Sequence, residues 1–198
     1  MLSTRLMPCL LMSNGALVKT VRFKEGPYVG DPVNAVRIFN QKEVDELILL
    51  DIHATTQSRG IDFDTLEKIV SECFMPICYG GGVRTIDEMR RLYALGIEKI
   101  SLGAAAFEVP DLVQEAAREF GSQAVVVTLD VKKALLGKLT VRTRNGTRDT
   151  KVSPLDAARE FEAKGAGEIL LYSIDRDGTW SGFDLKVIDS VSRGVGVP

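Results

Sequence analysis

The sequence predicts an α/β fold of the (β/α)8 (TIM) barrel type, incomplete, with six of the eight β–α units present. Three observations lead there. First, residues 46–76 and 168–198 repeat one another at a constant offset. Glu46 falls on Glu168, Leu49 on Leu171, Ile52 on Ile174, Gly60 on Gly182, Asp62 on Asp184 and Pro76 on Pro198. Second, short and nearly continuous apolar runs alternate with amphipathic helical patterns, as expected for parallel strands covered on both faces. Third, six units built from two-unit repeats favour a barrel over a doubly wound sheet, because an open six-stranded sheet would leave two buried-type edges unpaired. The repeat ends at Val197-Pro198, the counterpart of Met75-Pro76 that leads into a strand. The expectation is therefore one barrel domain over residues 1–198, truncated before its seventh strand, with no second domain.

Strands are expected at residues 6–11, 47–52, 76–79, 99–102, 125–130 and 169–174. The helices carry their own punctuation. Asp31 caps a helix that begins at Pro32 and runs through Val33, Val36 and Ile38. Thr85 and Glu88 form a capping box, and Gly96 ends that helix. Pro110 opens a helix that Gly121 closes. Ser153-Pro154 opens another, with Leu155, Ala158 and Phe161 on one face and Gly165 at its end. A hairpin of residues 138–143 and 147–152 is expected around Asn145-Gly146, a two-residue turn signal.

Of 198 residues, 45% are hydrophobic and the formal net charge is −2, with both signs interleaved. That excludes a clustered basic surface for nucleic acid. No apolar run reaches the roughly 20 residues of a membrane span, and the N-terminus lacks the features of a secretory signal. Cys9, Cys73 and Cys78 are odd in number and fit no zinc spacing, so they read as reduced thiols in a cytoplasmic protein. No metal and no cofactor are expected, and no nucleic-acid or membrane partner.

Chemistry in such a fold sits at the C-terminal ends of the strands. Gly80-Gly81-Gly82-Val83-Arg84-Thr85 follows the third strand and opens a capped helix. Its backbone N–H groups suit a phosphate near Arg84 and Thr85; the plainer reading is a tight turn without a ligand. Gly103 and Ala104, after the fourth strand, would complete the cradle. Asp51 and Asp130 end the second and fifth strands, and Asp175, Asp177 and Thr179 follow the sixth. Asp130 reads as an acid–base or ligand-orienting group, since a buried carboxylate is costly without a purpose. Asp51 serves equally as a cap or network residue, and His53, the single histidine, as a loop side chain. Matching the first strand to the fifth sets Met7 on Val126, Leu10 on Leu129 and Leu11 on Asp130. One half thus has a carboxylate where the other has Leu11, which cannot transfer a proton.

With PCL near the N-terminus, GDPV at 30–33, DEL and LDI, GGGVRT, FGSQ–VVV, GAGEILL and DRDGT–SG–D, the chain resembles HisF, the cyclase subunit family of imidazole-glycerol-phosphate synthase. The resemblance implies an eight-unit barrel of duplicated halves. It also implies a HisH-like glutaminase partner whose ammonia travels through the barrel to a phosphorylated small molecule. On this resemblance Asp130 matches one catalytic aspartate and Leu11 replaces the other. Lys19, Asp51 and Asp177 match polar active-site positions, and Gly81, Gly82, Gly103 and Ala104 fall at a phosphate site, with Gly103 where the family usually has Asn. Tyr172 replaces a small hydroxyl residue near the second phosphate. Arg5, Glu46, Lys99 and Glu168 match a charged ammonia gate, and Glu98 an acidic position facing the glutaminase. The segment CLLMSNGALVKTVRFKEGPYVGDPVNAVRIFNQKEVDEL is similar in particular to the AglZ-type, HisF-like branch of acetamidino modification proteins. That branch implies an accessory ammonia-channelling subunit, working with a glutaminase and a sugar amidotransferase on a surface-polysaccharide (O-antigen) sugar. The alternatives are a genuine cyclase of histidine biosynthesis and a non-catalytic scaffold.

Overall fold

A computed structural model describes residues 4–109, 111–134 and 137–198. They form two compact units: the described residues of 4–19 with 27–100, and those of 20–26 with 101–198.

In the first unit, β1 (Cys9–Ser13) pairs antiparallel with β2 (Ala16–Val18), and β2 with β3 (Tyr28–Gly30). This hairpin corrects the strand expected at 6–11. Asn14 and Gly15, with φ of 51° and 76°, supply the left-handed turn that joins β1 to β2. After β3, α1 (Pro32–Gln41) starts where expected, its Asp31 cap accepting from the Asn34 N–H. β4 (Leu47–Asp51) and β5 (Ile77–Gly80) follow in parallel, β4 beside β1 and β5 beside β4. Between them α2 (Phe63–Val70) is capped by Asp62, and after them α3 (Ile86–Leu95) carries the expected Thr85–Glu88 box and left-handed Gly96. Leu47, Leu49, Leu66, Ile69, Tyr79, Met89 and Leu92 are fully buried and make this core.

The strand β6 (Lys99–Leu102) carries the chain into the second unit. There follow α4 (Ala104–Glu108), α5 (Leu112–Phe120), β7 (Val125–Lys133), β8 (Leu139–Thr143), β9 (Arg148–Asp149), α6 (Pro154–Ala163), β10 (Glu168–Ser173) and α7 (Leu185–Ser192). Pro110, expected to open α5, lies outside the described residues. α4 was not foreseen. β7 extends three residues beyond the expected strand, because at Asp130 and Val131 it pairs with both β8 and β10. The β8–β9 connection is a four-residue loop, not a two-residue turn, with Arg144, Asn145 and Gly146 all at positive φ. The parallel pairs β1–β4, β4–β5 and β7–β10, each joined through helices, bear out the α/β class.

Candidate functional site

At the start of β4 in the first unit, Glu46 is 3% exposed. A carboxylate so buried is costly unless paired. Lys99 Nζ, opening β6, donates to Glu46 Oε2 at 2.7 Å, and Arg5 Nη1 donates to the same oxygen at 3.2 Å. Three of the four expected gate residues are thus brought together. Glu168 opens β10 in the second unit, where it pairs with Val126. Glu98 is exposed, and its N–H donates to the Ile77 carbonyl.

At the other end of β4, Asp51 Oδ1 accepts from the N–H groups of His53 and Ala54 and from Arg59 Nη2 at 3.2 Å. Through these bonds Asp51 holds the β4–α2 loop. That loop in turn explains the glycines. At Gly81, with φ 125°, a Cβ would lie 2.5 Å from the Asp51 carbonyl oxygen; at Gly82, with φ 73°, it would press on Ala54 and Gly60. The Gly82 N–H donates to Thr55 Oγ1. The first donors of α3 are committed too, since the Arg84 and Thr85 N–H groups both donate to Glu88 Oε2. The Gly80–Gly82 turn is therefore accounted for by packing and capping, and the predicted anion position beside Arg84 and Thr85 carries a carboxylate of its own. Gly103 differs, because nothing lies within 4 Å of a Cβ built on it. Ala104 opens α4 directly after it. Lys19 is exposed, its N–H donating to the Pro27 carbonyl. Burial pushes the Tyr79 phenol upward, and its hydroxyl has no hydrogen-bond partner among the described residues.

The acid–base candidate lies in the second unit. Asp130 sits within β7, not at its end, and pairs with Tyr172 of β10. Desolvation foremost, then the charge of Asp177, pushes its carboxyl up to about 7, where a proton can be given or taken near neutral pH. The Asp177 carboxylate gathers three donors. It accepts from Thr20 Oγ1 at 2.7 Å, from the Phe23 N–H at 3.0 Å and from the Tyr172 hydroxyl at 3.3 Å. Tyr172 also packs edge-on against Phe23, ring centroids 5.2 Å apart. Thr20 and Phe23 escaped the sequence reading because nothing local links them to a residue more than 150 positions away. Below Asp130 on the same strand, Thr128 shares a hydrogen bond with Ser101 of β6, both hydroxyls buried.

The half-to-half pairing of Leu11 with Asp130 holds in the strand ladders. Leu11 pairs with Leu50, and Asp130 pairs with Tyr172, the repeat counterpart of Leu50. Among the described residues no group of His, Cys, Asp or Glu could hold a metal ion. No helix among them is long and apolar enough to cross a membrane.

Several known proteins are similar to this chain along its whole length. A Pseudomonas aeruginosa protein named "Putative imidazole glycerol phosphate synthase subunit hisF2" is 48% identical over 198 residues, covering 100% of this chain and 79% of its own length. A Vibrio vulnificus relative named as the corresponding "hisF3" subunit is 48% identical, covering 100% of this chain and 76% of its own. An Alkaliphilus metalliredigens protein, "Imidazole glycerol phosphate synthase subunit HisF", is 41% identical over 198 residues, 100% of this chain and 79% of that protein. Residues 5–198 match the model of the family described as "Histidine biosynthesis protein". With that match and these relatives, the chain belongs to the histidine biosynthesis protein family, among HisF-type subunits.

Proposed function

We propose that this chain is the ammonia-channelling subunit of a glutamine-dependent amidotransferase system. It would take ammonia from a HisH-like glutaminase and pass it to a separate sugar amidotransferase that forms an acetamidino group on a surface-polysaccharide sugar. The observation that carries this reading is Leu11. The ladders align it with Asp130, so only one half offers a carboxyl at this position for proton transfer, while the Arg5–Glu46–Lys99 cluster around the buried Glu46 keeps charges suited to gating a neutral molecule. In this reading Glu168 completes the gate, Glu98 faces the glutaminase, and Gly81, Gly82, Gly103 and Ala104 are vestiges of a phosphate site. Lys19, Asp51 and Asp177 keep the form of an active site without its second aspartate.

A second reading, the cyclase subunit of imidazole-glycerol-phosphate synthase, is favoured by the names of the relatives and by the carboxyl of Asp130 near 7. Reconstitution with both partners separates the two, and also tests for a scaffold without ammonia flux. On the first reading, Lys99→Met uncouples glutamine hydrolysis from amidation, added ammonium salt restores the product, and no imidazole-glycerol-phosphate forms. Robust cyclase turnover by the unmodified chain would overturn it in favour of the second. Amidation indifferent to Lys99 would favour the scaffold.

A further inference from the structure

Arg22 and Phe23 are consecutive non-glycine residues in the left-handed region, with φ of 54° and 59°. They are the central residues of a tight turn closed by Val21 and Lys24, which exchange backbone hydrogen bonds. Turns with positive φ at both central positions favour Asn-Gly; Arg-Phe is a poor choice, and such strain persists only where the surroundings impose it. Here one residue does so. The Arg22 N–H donates to the Asp177 carbonyl at 2.9 Å and the Phe23 N–H donates to its carboxylate, so both strained peptides end on Asp177.

The remaining contacts converge on the same point. Thr20, 3% exposed, gives its hydroxyl to Asp177, and Tyr172 adds its own hydroxyl and a ring contact to Phe23. A Cβ at Gly178 would sit 2.1 Å from the Thr20 carbonyl oxygen, so the chain after Asp177 comes as close to the turn as backbone allows. A Cβ at Gly146, on the β8–β9 loop, would lie 3.7 Å from the Phe23 ring.

We infer that Asp177 is a positioning residue, not an acid–base group: with Thr20 and Tyr172 it latches the strained Arg22–Phe23 turn beside the Asp130 strand pair. The inference rests on the reading of Asp130 as the surviving reactive carboxyl only for its consequence, not for its test. Two donors, Thr20 Oγ1 and the Phe23 N–H, share its Oδ2, and the Tyr172 hydroxyl donates to its Oδ1.

Amide hydrogen exchange on the full chain tests this without any activity assay. The Phe23 amide should exchange about 10- to 100-fold faster in Asp177→Ala and in Thr20→Val, as loss of a hydrogen bond to a charged group implies. Thr20→Ser, which keeps the hydroxyl, should restore protection. The amide of Leu129 in β7 should keep its protection throughout, which separates latch opening from global unfolding. If Asp177→Ala raises both rates together, Thr20→Val decides. An unchanged Phe23 rate in Thr20→Val, or Thr20→Ser behaving like Thr20→Val, would overturn the latch.

Discussion

The backbone N–H of Ile169 donates to the carbonyl oxygen of Pro198 at 2.9 Å, and 122 positions earlier the N–H of Leu47 donates to Pro76 at 2.8 Å. The correspondence continues element by element. α2 spans Phe63–Val70 and α7 spans Leu185–Ser192, the same eight positions at the same offset. Gly60 and Gly182 share a φ of 74°, and the N-caps Asp62 and Asp184 adopt nearly the same backbone angles. The N–H of Ile52 donates to Met12 at 3.0 Å, and that of Ile174 to Val131 at 2.9 Å. A sequence identity confined to six positions thus marks a backbone repeat down to single hydrogen bonds.

Because nothing lies within 4 Å of a Cβ at Gly60 or Gly182, alanine there meets only backbone strain. Gly60→Ala and Gly182→Ala should each cost about 1–2 kcal/mol, and equally, by urea denaturation. Gly81→Ala should cost more than either, since its Cβ would also drive into the Asp51 carbonyl. A Gly81→Ala protein as stable as Gly182→Ala would refute the packing account of that turn.

The two caps, alike in backbone, differ in use. Asp62 accepts from the Thr65 N–H and hydroxyl, which holds its carboxyl below the usual range, whereas Asp184 makes no cap bond and faces Arg176 at 3.7 Å. Asp62→Ala should therefore cost about 1 kcal/mol, and Asp184→Ala less. The Asp62 contribution is present above the ordinary carboxylate pKa and is lost as pH falls through its lowered value, so the two variants should converge in acid.

Glu46 holds two ion pairs at one carboxylate oxygen in the first unit. Lys99→Met leaves a carboxylate 3% exposed that keeps its ion pair with Arg5 but loses the shorter one, and should cost about 3 kcal/mol. Replacing Glu46 with Leu in the same protein should recover most of that loss. Chemical denaturation of the single and double variants gives the comparison; equal stability of the two would mean that Glu46 is not stranded.

Much of this was legible in the sequence where the cause is local. Asp31-Pro32, Thr85–Glu88 and Gly96 write their helix boundaries into adjacent residues. The Asn14-Gly15 turn also has a local signature, but it follows an apolar run that by itself matches a strand over 6–11. Other features have no local signature. The extension of β7 depends on two partner strands, and the engagement of Asp177 depends on Thr20 and Phe23, far away in the chain. The glycine turn has a partner that no local pattern reveals: the Asp51 loop packs against Gly81 and Gly82.

Asp130 gives the sharpest pH prediction. Its ordinary value is 3.8 and in the folded chain it stands at about 7. Between these the folded protein binds a proton that the unfolded chain has already released. The contribution of Asp130 to stability is therefore full below about pH 4 and is lost as pH rises through about 7. Asp130→Asn, which mimics the protonated group, should abolish that loss, so that its advantage over the unmodified chain grows from pH 5 to pH 8. The same group should appear directly as a carboxyl carbon titrating near 7 by NMR, absent from the Asn variant. Parallel stability profiles for the two proteins across this range would show that Asp130 is ionised at ordinary pH, and the case for it as a neutral-pH proton carrier would fall with them.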